Sequence, residues 1–337
     1  MCTCFTFKNG DFYFGRNMDL EYTFGEKIVI TPRNYPFAFR REKPYKSHYA
    51  ILGMATADSG YPLYAEAVNE KGLCLAGLNF PGNAFYQEPE EKEAAAGIAP
   101  FELIPWLLGS CSSAKEAVQK LENVPLVSIP FSSRLPLAPL HWMLSDREES
   151  YVLEPLKEGL KICPNPVGVL TNNPPFEFHT MNLNRYMNLT ALPPKNRFSS
   201  ALSLSPYGQG MGSIGLPGDS SPCSRFVRTA FLKENSVCGQ DEESCISQVF
   251  HILDQVSMVR GAVMTPEEKW DITTYSCCIN ASAGIYYYKT YENNQIQAVD
   301  MKAEDLNGAS LICFDLQNRQ QICYVNGRQG QQRTEKL

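Results

Sequence analysis

The chain has 337 residues, of which 44% are hydrophobic and 20% charged, and its formal net charge is -6. This composition is typical of a globular protein with a large core. Because the charge is mildly acidic and no Lys/Arg stripe is present, nucleic acid is excluded as an expected partner. No apolar run reaches the roughly 18 residues needed for a membrane span, so we expect no stable membrane insertion.

The N-terminus begins directly with a strand-like segment rather than with a basic region followed by an apolar stretch. We therefore predict no signal peptide and a cytoplasmic location. In that compartment the twelve cysteines are expected to be reduced.

The first eighty residues are predicted to form β-strands, and Asn9-Gly10 indicates a tight hairpin turn between the first two. The predicted strands are Cys2–Phe7, Asp11–Gly15, Lys27–Thr31, Ile51–Thr56, Leu63–Asn69 and Leu73–Phe80. A polar loop over 87–97 separates them from the first helical region.

Helices and strands then alternate in blocks. Predicted helices cover Pro100–Leu108, Ala114–Leu121 with Ser112 or Ser113 as its cap, 176–190, Ser224–Glu234 and Glu242–Met258. Predicted strands cover Leu140–Ser145, Tyr151–Glu154, Val167–Leu170, Trp270–Asn280, Gly284–Tyr291, Ile296–Asp300, Ser310–Leu316 and Gln321–Val325. Long loops are predicted over 124–139, which is rich in proline, and over 203–223.

Because strands and helices do not alternate regularly, the order predicts an α+β fold with antiparallel sheets rather than a doubly wound parallel sheet. We expect a single domain over 1–325 and a polar C-terminal tail over 326–337. No internal repeat is found in the sequence.

Cofactor and metal motifs are not supported. Residues 210–215 match G-x-G-x-x-G, but no clear strand precedes them, so a dinucleotide site is not expected. The four histidines, His48, His141, His179 and His251, are scattered, and no C-x-x-C accompanies them. We predict neither a metal ion nor another cofactor.

Cys2 is the residue that draws attention by its position. Removal of Met1 would place a thiol and a free α-amine on one residue, and the amine can be neutral near pH 7 and accept the thiol proton. This is the arrangement of an N-terminal nucleophile. From position alone, an incidental cysteine at the start of an edge strand remains the alternative.

Polar residues at other predicted strand or helix ends are candidate partners. If the first two strands pair, Arg16 and Asp19 lie near Cys2. There the arginine would favour the thiolate form of Cys2, and the carboxylate could orient its amine. The alternative is that Arg16 and Asp19 form an ion pair on the surface. Asn79 and Asn172 end strands, and their amides could serve an oxyanion hole or only cap the strand. Arg225 lies just inside a helix start, which is unfavourable for a cation, so another role is expected.

Taken together, these segments resemble the choloylglycine hydrolase family, which contains bile salt hydrolases and penicillin V acylases. The matching stretches keep their order from residue 1 to about 300. They include Met1-Cys2-Thr3, Phe14-Gly15-Arg16-Asn17-Met18-Asp19, Asn69-Glu70-Lys71-Gly72-Leu73, Ala76-Gly77-Leu78-Asn79-Phe80-Pro81, Leu140-His141-Trp142-Met143, Gly168-Val169-Leu170-Thr171-Asn172, Gly215-Leu216-Pro217-Gly218-Asp219, Ser224-Arg225-Phe226 and Tyr286-Tyr287-Tyr288.

The resemblance implies an N-terminal-nucleophile hydrolase fold with four layers, αββα, and two antiparallel sheets. It implies a cysteine amidohydrolase acting on linear amides, with Cys2 as nucleophile and a thioester intermediate. The other catalytic positions would be Arg16, Asp19, Asn79, Asn172 and Arg225. The substrate pocket would include Met18, Asn79, Phe131 and Leu135, and the assembly would be a homotetramer.

A bile salt hydrolase, which cleaves glycine or taurine from conjugated bile salts, is the favoured function. Familiar penicillin V acylases carry Tyr at the position of Asn79, which makes that activity the alternative. A non-catalytic binding protein of the same fold is a further alternative, for which an unprocessed Met1 or a substituted cluster is expected. Exchange of other amino acids onto the acyl-enzyme also stays open.

Overall fold

Two antiparallel β-sheets lie face to face at the centre of the fold. The computed structural model describes residues 1–58, 60–89, 96–122 and 124–326. Within these residues the first sheet has six strands in the order β10-β1-β2-β11-β12-β13. Their bounds are Cys2–Asn9 (β1), Asp11–Leu20 (β2), Val169–Leu170 (β10), Ile272–Asn280 (β11), Ile285–Thr290 (β12) and Asn293–Asp300 (β13).

The second sheet has eight strands among the described residues, in the order β14-β3-β4-β5-β6-β7-β8-β9. Their bounds are Lys27–Thr31 (β3), Ile51–Asp58 (β4), Tyr61–Asn69 (β5), Cys74–Asn79 (β6), Leu140–Ser145 (β7), Ser150–Leu156 (β8), Gly159–Pro164 (β9) and Ile312–Asp315 (β14). The short strand β14 pairs with β3, so the C-terminal part of the described chain forms one edge of this sheet.

Helices cover the outer faces of both sheets. They are Leu103–Leu108 (α1), Ala114–Leu121 (α2), Phe176–Asn182 (α3), Pro222–Glu234 (α4) and Glu242–Asp254 (α5). The pair α4 and α5 packs on the first sheet, and α1 packs on β5 and β6 of the second. One apolar cluster joins the two sheets and α5, and another joins the second sheet to α1 and α2. The four-layer αββα prediction is therefore confirmed.

The predicted hairpin is present and extends further than expected. Gly10 adopts a φ of 68°, which the turn between β1 and β2 requires. Strand β2 continues to Leu20, and its register places Met18 opposite Cys2 and Arg16 opposite Cys4. Since side chains alternate across a sheet, Arg16 and Met18 share the face of Cys2.

The predicted cap of α2 is confirmed: Ser113 is the cap, and its side chain accepts from the N–H of Glu116. Helix α4 begins at Pro222, two residues before the predicted start, and Ser221, which was not predicted as a cap, accepts from the N–H of Ser224. These bonds satisfy N–H groups that the first turn of a helix leaves without a partner.

Several predicted elements differ from the structure. The strand predicted over Gln321–Val325 is wrong: its apolar side chains Ile322, Tyr324 and Val325 are exposed, and no described strand pairs with it. Strand β9 was not predicted, because it is a half-exposed edge strand without clear alternation. Helix α3 ends at Asn182 and continues only as a 3-10 turn, and α5 ends at Asp254 rather than Met258. The predicted tail over 326–337 lies outside the described residues except for Asn326, and so does most of the 87–97 loop.

Candidate active site

The side chain of Cys2 is buried at the start of β1, between the two sheets, with 3% of its surface exposed. Its Sγ lies 3.5 Å from Nη2 of Arg16 and 3.6 Å from Sδ of Met18. Both neighbours come from β2, because the hairpin register brings that strand alongside β1. The thiol therefore contacts one cation and one soft, polarisable sulfur atom.

Arg16 is held in place by the second sheet. Its Nη1 donates to Oε2 of Glu66 at 2.5 Å and to the carbonyl oxygen of Ala65 at 2.6 Å. Its Nη2 donates to the carbonyl oxygen of Gly77 at 2.6 Å. Burial acts to lower the pKa of Arg16, but Glu66 and the other acidic groups around it raise this pKa well above its ordinary value. The guanidinium beside the thiol thus stays charged.

Glu66 was not anticipated as part of this site. It is fully buried in β5, and its two carboxylate oxygens also accept from the hydroxyls of Tyr275 and Tyr286. The one sequence signal was a carboxylate inside an apolar strand, between Ala65 and Ala67, since such a residue needs a buried partner. Which partner it has depends on how the two sheets face each other.

The carboxylate of Asp19 is buried on the opposite face of β2, close to the chain start. Its Oδ1 accepts from Oγ1 of Thr273 at 2.6 Å, and its Oδ2 lies 4.0 Å from Nη1 of Arg225. No hydrogen bond to that Oδ2 is found among the described residues. Burial raises the pKa of Asp19 above its ordinary value, even though Arg225 and the N-terminal ammonium act in the opposite direction.

Met1 is present in the structure, so the nitrogen of Cys2 is a peptide N–H here and stands in for the amine that Met1 removal would release. This N–H donates to Oδ1 of Asn172 at 2.9 Å. The ammonium of Met1 donates to the carbonyl oxygen of Asp19 at 2.5 Å and lies 3.4 Å from Oδ2 of Asp271. The Cys2 nitrogen therefore has one acceptor, Asn172, and the Met1 nitrogen has two.

Arg225 and Asn172 complete the group around the start of β1. Arg225 is buried, and its Nη1 donates to the carbonyl oxygen of Cys2 at 2.5 Å and to Oγ1 of Thr3 at 2.6 Å. Its Nη2 donates to Oδ1 of Asn172 at 2.7 Å. These acceptors explain why a cation lies in the first turn of α4, against the helix dipole.

The two asparagines differ in what their amides contact. Nδ2 of Asn172 donates to the carbonyl oxygen of Asn79 at 2.7 Å, while its Oδ1 accepts from Cys2 and Arg225. The side chain of Asn79 is half-buried at the end of β6, and no hydrogen bond to it is found within the described parts of the chain. Of the two, Asn79 has the amide that is available to a substrate oxygen.

The pocket residues expected from the resemblance lie in different surroundings. Met18 touches the Cys2 sulfur, as described above. Phe131 packs against Tyr61 and Phe101, with ring centroids 5.8 and 5.2 Å away. Leu135 is 37% exposed in the proline-rich loop. A role for Phe131 and Leu135 in binding substrate stays a prediction.

The part of the chain that the structure describes contains no group of three or more His, Cys, Asp or Glu side chains placed to hold a metal ion. Among the same residues, no helix combines the length and apolar character of a membrane-crossing segment.

The chain is similar to known amide hydrolases over nearly its whole length. Residues 2–314 match the family described as linear amide C–N hydrolases, choloylglycine hydrolase family. A bile salt hydrolase/transferase of Lactiplantibacillus plantarum is 48% identical over 326 residues, which cover 97% of this chain and 100% of the relative.

Two solved structures show how far the likeness extends in three dimensions. The crystal structure of the C2A mutant of conjugated bile acid hydrolase from Clostridium perfringens gives a TM-score of 0.89 at 41% identity, covering 97% of this chain and 100% of that chain. Penicillin V acylase from Agrobacterium tumefaciens gives a TM-score of 0.71 at 21% identity, covering 93% of this chain and 90% of that chain. The similarity to penicillin V acylase is a similarity of fold alone.

Proposed function

Because the chain belongs to the choloylglycine hydrolase family, we propose that it is a bile salt hydrolase, which cleaves the amide bond between a bile acid and glycine or taurine. The relative that is 48% identical over 97% of this chain carries that activity in its name. The observation that carries the chemistry is the Cys2 thiol beside the charged Arg16, with the nitrogen of the same residue bound by Asn172.

The first half of the reaction forms a thioester. Removal of Met1 converts the Cys2 nitrogen into a primary amine, which takes the thiol proton as general base. The sulfur attacks the amide carbon of the conjugated bile salt, and the carbonyl oxygen becomes an oxyanion. The free amide of Asn79 and a backbone N–H stabilise that oxyanion. Arg16 supports the thiolate, and Asp19 and Asn172 orient the amine.

The second half releases the two products. The α-ammonium of Cys2 donates its proton to the leaving nitrogen, the C–N bond breaks, and glycine or taurine departs. Water then attacks the thioester carbon and gives its proton to the amine, which is again neutral. The C–S bond breaks and the free bile acid leaves. The α-ammonium returns its proton to the sulfur, which regenerates the thiol and the neutral amine.

A matched pair of cysteine variants tests the proposal. The processed enzyme is incubated with glycine- and taurine-conjugated bile salts, and the released amino acid is measured; acid-quenched samples are examined by mass spectrometry for a steroid acyl adduct. Cys2→Ser with Met1 removed should form no thioester. Cys4→Ala, which changes a buried cysteine on the same face of β1, should keep the activity. Full activity of Cys2→Ser would refute the mechanism.

The alternatives give different results in two further assays. A penicillin V acylase would release the phenoxyacetyl group from penicillin V faster than glycine or taurine from bile salts. Asn79 stands where familiar penicillin V acylases have Tyr, which supports conjugated bile salts as the substrates. A non-catalytic protein would retain Met1 on all mature chains, which N-terminal mass spectrometry would detect.

Acyl transfer is a second activity that the same site supports. The 48% identical relative is named a hydrolase/transferase. Chemically, an amine that replaces water at the thioester would form a new amide instead of a free acid. Adding an excess of a free amino acid to the reaction should then yield a new bile acid conjugate in mass spectra, and its absence at all concentrations would restrict the enzyme to hydrolysis.

We further propose a homotetramer in the cytoplasm. Supporting the assembly, the segment from α3 to α4 exposes many large apolar side chains, which are typical of an interface. They are Phe178, Met181, Met187, Leu192, Phe198, Leu202, Leu204, Tyr207 and Ile214. Supporting the location, cysteines packed in the core, such as Cys4, Cys74 and Cys278, are thiols, as expected in a reducing compartment. Light scattering should give four times the mass of the chain, and Phe198→Glu with Tyr207→Glu should lower it.

A further inference from the structure

Two buried histidines that the mechanism does not use contact the loop carrying Asn172. Nε2 of His141 lies 3.0 Å from the carbonyl oxygen of Thr171, and Nε2 of His179 lies 2.9 Å from the carbonyl oxygen of Asn172. Both side chains have no exposed surface. Two consecutive peptide groups are thus held by histidines from β7 and α3.

The chemistry of these contacts fixes the direction of both hydrogen bonds. A carbonyl oxygen only accepts, so each Nε2 must carry the hydrogen and donate. Burial lowers the pKa of His179 below its ordinary value, which favours a neutral ring. A neutral ring with hydrogen on Nε2 is the form that donates to Asn172 without a buried charge.

Each histidine also stacks on the neighbour of a different catalytic candidate. The ring of His141 lies parallel to that of Phe80, with centroids 4.2 Å apart and an angle of 5°, and Phe80 follows Asn79. The ring of His179 stacks on Phe226 at 4.8 Å and 19°. Phe226 follows Arg225 in α4, so the pair connects the end of β6, the Asn172 loop and α4.

Glu154, on β8, lies near His141 and contacts the start of the helix that carries His179. Its Oε1 lies 3.5 Å from Nδ1 of His141 and accepts from the backbone N–H of Phe176 at 2.8 Å. Phe176 is the first residue of α3, the helix that carries His179. The carboxylate therefore binds the start of this helix and lies beside the ring of His141.

Stability alone does not account for these polar side chains. Nδ1 of His141, Oε2 of Glu154 and Nδ1 of His179 are buried, and no hydrogen-bond partner for them is found in the described part of the chain. A buried polar atom without a partner is destabilising, because it has lost its hydrogen bonds to water. Apolar residues of similar shape would avoid this cost, but they could not donate to the Thr171 and Asn172 carbonyls.

We propose that His141, Glu154 and His179 are positioning residues that hold Asn172 in register with Asn79 and Arg225. They act through the backbone on both sides of Asn172, whose amide contacts the Cys2 nitrogen. This role rests on the proposed amide hydrolysis and adds to it a set of residues behind the reacting groups.

Replacing His179 by phenylalanine, which also has a flat ring, distinguishes a positioning role of His179 from a packing role. His179→Phe keeps a flat ring against Phe226 but removes the N–H donor to Asn172. Because a misplacement of 1 Å at a reacting group can cost on the order of 10²-fold in rate, we expect kcat to fall between about 10-fold and 100-fold. KM for conjugated bile salts should change less than about threefold, because substrate contacts are intact. His179→Gln, which restores an N–H donor, should recover at least part of kcat.

His48→Phe is the matched control. His48 is also buried, lies 2.7 and 2.9 Å from two carbonyl oxygens and packs against the ring of Phe37, with centroids 4.8 Å apart and an angle of 49°. It belongs to a loop remote in sequence from the catalytic candidates. It should lose thermal stability as His179→Phe does, with kcat unchanged. His141→Phe removes the N–H donor to the Thr171 carbonyl oxygen and provides a second test of the positioning role. This variant is used if His179→Phe does not fold.

The outcomes distinguish the two proposals. A wild-type enzyme that releases no glycine or taurine refutes the proposed function before any variant is made. If the wild type is active and folded His179→Phe or His141→Phe keeps a normal kcat, the positioning role is refuted. A fall in kcat equal to that of His48→Phe would also refute it, because loss of packing would then suffice.

Discussion

The guanidinium of Arg16 and the carboxylate of Glu66 form a 2.5 Å ion pair that connects the two sheets behind the Cys2 thiol. Both side chains are at least 99% buried. The carboxylate is further bound by two tyrosine hydroxyls of the first sheet, from Tyr275 and Tyr286. Glu66 therefore orients the arginine, and the arginine presents its other terminal nitrogen to the Cys2 thiol.

Removing one partner of this pair should be costly. Breaking a buried ion pair on one side leaves an uncompensated charge and typically costs 3–5 kcal/mol, so Glu66→Ala should lower the free energy of unfolding by about that amount. Urea denaturation measures it. Asp315→Asn, which breaks the exposed pair with Lys27, is the control and should produce no measurable change. Equal effects would contradict the account of Glu66.

Asn79 should matter for the rate and not for substrate affinity. Because its amide has no other described partner and can donate to the oxyanion, Asn79→Ala should lower kcat by about 10²–10³-fold. Steady-state kinetics with a conjugated bile salt gives both constants. A change confined to KM would instead assign Asn79 to ground-state binding.

Arg225→Lys should not be a conservative change. The guanidinium donates to Cys2, Thr3, Asn172 and Ser220, and a single ammonium cannot reach all four acceptors in the same geometry. Since the start of β1 would shift, we expect a loss of kcat on the order of 10²-fold. Retention of kcat above half the wild-type value would show that charge alone suffices.

Asp19→Asn should separate stability from activity. Burial raises the folded-state pKa of Asp19 above its ordinary value of 3.8, so the folded state binds this proton more tightly than the unfolded state. The protonated Asp19 therefore stabilises the fold below pH 3.8, and this stabilisation is lost as the pH rises through the folded-state pKa of Asp19. At pH 7 the ionised carboxylate therefore costs stability, which an asparagine avoids.

The expected result is an Asp19→Asn protein that is more stable than wild type at pH 7 but much less active, because the amine of Cys2 loses its carboxylate. The stability difference should shrink as the pH falls toward 3.8. Urea denaturation at several pH values checks this. A variant that is less stable than wild type at pH 7 would show that attraction to Arg225 outweighs the cost of burial.

Features that depend on neighbouring residues in the chain were predictable from the sequence. The Asn9-Gly10 turn fixed the hairpin, and the hairpin brought Arg16 beside Cys2. The Ser113 cap was recognisable because its bond spans only three residues. Asp19 followed from the same strand, although its burial against Thr273 did not.

Features that depend on packing between distant segments were not predictable. Glu66 meets Arg16 only because the two sheets face each other. His141 and His179 were two of the scattered histidines, and Glu154 was not considered, since no periodicity relates a strand, its neighbour and a later helix. The segment Gln321–Val325 has apolar residues typical of a strand, but no described strand lies beside it to pair with.

Met1 also has a consequence for how the active protein is made. Its nitrogen and its carbonyl oxygen both pair with the backbone of Asp19, at 2.5 and 2.8 Å, so hydrogen bonds to β2 hold the first peptide bond, where β1 begins. An aminopeptidase needs that bond in a free, extended end. Excision during synthesis, before the hairpin closes, is therefore the productive order of events. A chain that folds first should remain a dormant form, which unfolding and refolding in the presence of the peptidase would rescue.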